Sequence, residues 1–96
     1  MDSERTDRLA ALLLEAQQAH GKYEATELNG VFDEEWPQWY ASYAVDHGLA
    51  QILGREVTEE RVGQHLATAY AEYEQVDPKP DGTWATYIAE RWPEQL

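Results

Sequence analysis

Three histidines stand among nineteen acids, and imidazole with carboxylate is the pairing from which metal sites and proton-transfer sites are built. His20, Glu24 and Glu27 fall at i, i+4 and i+7. On one continuous helix they share a face, giving an imidazole and two carboxylates that could hold a divalent metal. Asp46 and His47, at the end of one helix, form a second possible set with His65, two turns into the next. Both sets have a plainer explanation. His20 and His47 each immediately precede a glycine, in AHG and DHG, and a cation in a last turn is stabilised by the free carbonyls and the helix dipole. Metal sites in bundles draw acidic and histidine ligands from several helices, and only fragments of that pattern are present. The expectation is therefore no cofactor, with a divalent metal as the minor alternative.

Other chemistry finds little support. There is no Cys, and Ser3 and Ser42 sit in nothing resembling a nucleophile elbow. The glycines are dispersed, so no phosphate loop is present. A carboxylate of Glu24 or Glu27 beside Tyr23 or His20 is geometrically able to act as a base, but solvated glutamates are the commoner outcome. An enzyme is not the expected reading.

The distribution of charge says more. Between Tyr23 and Gly54 stand Glu24, Glu27, Asp33, Glu34, Glu35 and Asp46, with no Lys or Arg to offset them. Over the chain the formal charge is −12, which repels phosphate backbones and anionic membrane surfaces. Direct nucleic-acid binding and membrane association are thus disfavoured. Part of the cluster is explained by helix capping, since Asp33 precedes a helical stripe and Glu34 and Glu35 favour its positive end. The remainder suits a basic partner.

Those acids precede WPQWYASYAVDHG, in which Trp36, Trp39, Tyr40, Tyr43 and His47 fall at i, i+3, i+4, i+7 and i+11. That spacing makes one stripe of an α-helix. A helical apolar stripe ordinarily faces inward, so most of these rings are expected to be core. Four Trp and six Tyr are nevertheless more than a domain of 96 residues can fully bury. Tyr70, Trp92 and Trp39 are expected nearest the surface.

The elements that position these groups follow from spacing. Leu9, Leu12, Leu13, Ala16, Ala19, His20 and Tyr23 mark a first amphipathic helix, capped by Asp2 or Ser3. It either stops at Gly21 or, as favoured here, runs on to the Asn29-Gly30 turn, because one interior glycine costs only about 1 kcal/mol. The second helix begins at Asp33, with Pro37 tolerated in its first turn, and closes at Gly48, after which LAQIL adds a turn. Thr58 caps a third helix with stripe Val62, Leu66, Ala69, Tyr73 and Val76. DPKPDG is a connector, and a last helix runs from about Thr83 to Trp92 before Pro93.

Residues 1–96 are thus expected to form a single all-α domain, a compact four-helix bundle with an aromatic-rich core. The charged N-terminus and the lack of a long apolar run make a cytoplasmic protein the expectation. The function expected is binding of a protein with a basic surface, or self-association as a homodimer. Tyr23, Glu24, Glu27, Glu34, Glu35, Trp39, Tyr40 and Asp46 would form the contact surface. Rival readings are a metal or small-molecule site between helices and a mimic of DNA charge that occupies a DNA-binding protein.

Overall fold

α1 spans Ser3–Glu27 without a break, so the longer reading of the first helix holds and Gly21 lies inside it. A Cβ placed on Gly21 would meet nothing within 4 Å, which is why a glycine there neither kinks nor crowds the helix. The helix stops where the sequence indicates. Asn29 and Gly30 turn to φ +53° and +81°, and the Gly30 N–H donates back to the Glu24 carbonyl at 2.8 Å, a closure of the Schellman type.

The chain is described here by a computed structural model that covers residues 3–30, 33–79 and 82–93. Among those residues it forms four further helices: α2 (Trp36–Asp46), α3 (Leu49–Leu53), α4 (Glu59–Gln75) and α5 (Trp84–Glu90). Asp2 of the expected first cap, the lead-in Val31-Phe32 and Pro80-Asp81 of DPKPDG lie outside the described residues, and Ser3 is the first residue of α1. Two boundaries differ from expectation. LAQIL is a separate short helix, because Gly48 and Gly54 flank it at φ +106° and +76°, a left-handed conformation that interrupts α-helix on either side. Regular helix in α2 begins at Trp36 rather than just after Asp33. The Asp33 carboxylate accepts the Glu35 N–H at 2.9 Å in a tight turn, and Pro37 follows in the first helical turn. The caps at Thr58 and Thr83 form as the side chains dictate, accepting from the N–H groups of Arg61 and Thr86.

α1 packs against α2 and α5, and α4 packs against the same two, so these four helices close a ring in the order α1, α2, α4, α5. α3 lies against α1 and α2. The deepest side chains are aliphatic: Leu9, Leu13, Leu49, Leu66, Ile88 and Val62. Each is worth roughly 1.5–3 kcal/mol of burial. The aromatic cluster forms the outer layer of this core. On α2 the buried line is Tyr40, Ala41 and Ala44, while Trp36, Trp39 and Tyr43 pack half-buried against it. Most of that stripe is therefore not interior as expected, because alanines on the neighbouring face let α2 approach α1 and α4 more closely than rings would. Trp92 departs in the other direction. At 8% exposure it is buried against His65, although it lies beyond the last helix and was expected near the surface.

Candidate functional site

Antiparallel connections bring the C-terminal half of α1 beside the start of α2, and that of α4 beside the start of α5. All four meet around one groove of about 570 Å³. Trp36 and Tyr40 enter it from α2, Tyr70 from α4 and Trp84 from α5, with Glu24 of α1 and Glu74 of α4 also in its lining. Among the described residues no Lys or Arg lines it. The rings stand at steep angles to one another: Trp36 against Tyr40 at 80°, Trp36 against Tyr70 at 72°, Tyr40 against Trp84 at 65° and Tyr70 against Trp84 at 80°. The Trp84 indole is held in place, its N–H donating to Gln17 Oε1 at 3.1 Å. Burial, with Glu24 and Tyr70 adding to it, pushes the Tyr40 phenol up to about 12, so it remains an uncharged donor.

The wall behind this groove is polar and ordered. His20 is 6% exposed and Asp33 9%, and the imidazole Nε2–H donates to Asp33 Oδ2 at 2.8 Å. Asp33 is fixed from both sides, its own N–H donating to Glu24 Oε2 at 3.1 Å and its second oxygen taking the Glu35 N–H. Trp39 and Tyr40 pack on the imidazole with centroids 4.9 and 5.0 Å away. His20 is thus no terminal cation, since α1 continues past it, and Asp33 is no solvated cap. Together they tie α1 to the first turn before α2.

Outside that wall runs a second set of rings. Tyr23 lies 5.5 Å from Trp39, Trp39 stacks on Tyr43 at 5.6 Å, and Tyr43 stacks on His47 at 3.8 Å. Tyr23, Trp39 and Tyr43 are half-buried, whereas Glu27, Glu34 and Glu35 around them are exposed. Of the expected contact residues, Tyr23, Glu24 and Trp39 join at this end. Tyr40 is buried and belongs to the groove's inner wall rather than to an outer surface. Asp46 lies at the opposite end of α2, ten residues or about 15 Å from Trp36 and beyond the screening length of an exposed charge.

Neither histidine set is gathered into one cluster. Among the described residues no group of three or more His, Asp or Glu side chains is arranged to hold a metal ion. His20 and Glu24 both spend their bonds on Asp33, while Glu27 is exposed. His47 does what its position before Gly48 suggested, as its Nδ1–H donates to the Tyr43 carbonyl at 2.7 Å. His65 packs on Trp92, its pKa lowered by burial, with Glu72 opposing that shift; among the described residues neither His65 Nε2 nor Trp92 Nε1 has a hydrogen-bond partner. Sequence reasoning missed Gln17, Tyr70, Glu74 and Trp84 as one site, because they come from three helices distant in the chain. The His20 to Asp33 bond had a faint signal. Asn29-Gly30 reverses the chain, which carries an acid in the next turn back over the end of α1.

Protein-family models, curated proteins and solved structures give no match to this chain. Among the described residues no helix is long and apolar enough to cross a membrane.

Proposed function

We propose that the chain is a binding module that captures a basic protein partner at the end of the bundle where α1 meets α2. The observation that carries this reading is the conjunction there of half-buried rings with Glu24 and Glu74 in a groove that, among the described residues, no Lys or Arg lines, and with Glu27, Glu34 and Glu35 exposed at the end of α1 and just before α2. A Lys or Arg of the partner gains twice in such a place, from the carboxylate field and from the negative faces of Trp and Tyr. The protein already places its own cations on rings. The Arg91 guanidinium lies 4.0 Å from the Tyr87 ring centre, and Lys79 Nζ lies 5.0 Å from that of Tyr73.

The reading is tested with a fluorescently labelled peptide of alternating Lys, Gly and Arg, followed by anisotropy. Binding should weaken steeply as salt rises, and Glu34→Lys with Glu35→Lys should weaken it by roughly 5- to 30-fold, from about 0.5–1 kcal/mol for each rim charge reversed. The control is Glu59→Lys with Glu60→Lys, an equal change of net charge at the start of α4. If both pairs act alike, the partner senses net charge and not this surface, and the proposal fails.

A further inference from the structure

The four groove rings form a closed circuit, Trp36 to Tyr40 to Trp84 to Tyr70 and back, with successive centroids 5.5, 5.8, 6.1 and 5.3 Å apart. Four coplanar points so spaced enclose a centre about 4 Å from each, inside the range of about 6 Å over which a ring face attracts a cation. Neighbouring rings stand at 65° to 80°, so the walls are upright rather than stacked shut. Trp36, Tyr70 and Trp84 are only half-buried, and all four rings border the groove.

We propose that this box binds a methylated ammonium group. The inference rests on the reading of this end as a surface that seeks cations, and it specifies which cation the groove favours. A guanidinium or a primary ammonium carries several N–H donors, each of which loses water on entering and needs an acceptor. The groove offers few. The Gln17 carbonyl oxygen already accepts from Trp84 and Glu24 Oε2 from the Asp33 N–H, so the charged acceptors that remain are Glu74 and the other oxygen of Glu24, set against the five N–H donors of a guanidinium. A quaternary ammonium has no donor to satisfy, is weakly hydrated and is round, which suits four upright aromatic walls with carboxylates near the opening. The group could arrive on a free small molecule such as choline or on a methylated lysine side chain, and the chemistry of the box is the same for both.

The test follows intrinsic Trp fluorescence and heat on titrating the full chain with tetramethylammonium and with choline. The comparison ligand is the neutral analogue of choline in which a tert-butyl group replaces trimethylammonium. The cations should bind saturably, and the neutral analogue about tenfold more weakly, since shape and apolar area are kept and only the charge is lost. Tyr70→Leu should weaken choline binding by a similar factor while Tyr70→Phe leaves it nearly unchanged, with circular dichroism confirming that both variants fold. Equal affinity for the neutral analogue, or no saturable binding of either cation, overturns the proposal; so does wild-type affinity in Tyr70→Leu. Two peptides differing only in trimethylation of one Lys separate the sources. Tighter binding of the methylated peptide than of free choline assigns the box to a modified protein, and the reverse assigns it to a small molecule. Should the unmodified basic peptide bind in a salt-sensitive manner while tetramethylammonium does not, the box falls and the surface reading stands. Should only the small cations bind, the surface reading falls and the box stands.

Discussion

Replacing Asp33 by Ala removes the carboxylate that joins His20 of α1 to the turn before α2. With both partners less than a tenth exposed, the 2.8 Å bond from His20 is shielded from water, and a hydrogen bond to a charged group in such surroundings contributes about 1.5–3 kcal/mol. The Glu35 N–H loses its acceptor as well, a capping-type contribution of roughly 0.5–1 kcal/mol. The expected loss is about 2–4 kcal/mol, a large share of the roughly 5–15 kcal/mol by which a domain of this size is stable. Urea unfolding followed by Trp fluorescence measures it directly. At a slope of about 1–2 kcal/mol per molar urea, the midpoint should fall by at least about 1 M. A cycle with His20→Ala isolates the pair, and its coupling should reach about 1.5–3 kcal/mol. Asp33→Asn, which keeps an acceptor but not the charge, should lie between wild type and Asp33→Ala. If the coupling is within about 0.5 kcal/mol of zero, the bond does not hold the two helices together and the reasoning fails.

Three further outcomes are expected. Gly21→Ala should stabilise the protein by about 0.5–1 kcal/mol in urea, because the site is helical and open, and a loss instead would mean that α1 is not continuous there. Burial, opposed by Glu72, lowers the folded-state pKa of His65 below the ordinary imidazole value of about 6.5, so the unfolded chain takes up the proton first. Its stabilising contribution is complete above that value and is lost as pH falls below it toward the lowered folded-state pKa, and His65→Gln should flatten the stability profile over that range. In an ultraviolet titration of the tyrosines one phenol should ionise only near pH 12, and Tyr40→Phe should remove that late step.

How far the sequence spoke depended on the range of the interaction. Helix positions, the Asn29-Gly30 stop and the cap at Thr58 are local chemistry and were readable, while Thr83, placed at the start of the last helix, proves to be its cap. The stripe from Trp36 to His47 was also readable as helical, but its depth was not. Ala41 and Ala44 beside Tyr40 decided which face of α2 went inward, and periodicity alone ranks rings above alanines. His20 was read from its neighbour Gly21, whereas its environment is set by Asp33 across a turn. The groove needed Tyr70 and Trp84, some thirty to fifty residues from Trp36, and no spacing rule connects them. Trp92 was misjudged for the same reason, since its cover, His65, lies on a different helix.

The four indole N–H signals offer the most direct test of a binding surface at this end of the bundle. In a proton–nitrogen correlation spectrum titrated with the Lys/Arg peptide, the indole resonances of Trp36, Trp39 and Trp84 should move together and saturate. That of Trp92, buried against His65 away from the groove, should stay in place. Movement of Trp92 alone, or of none of the four at saturating peptide, would contradict the account.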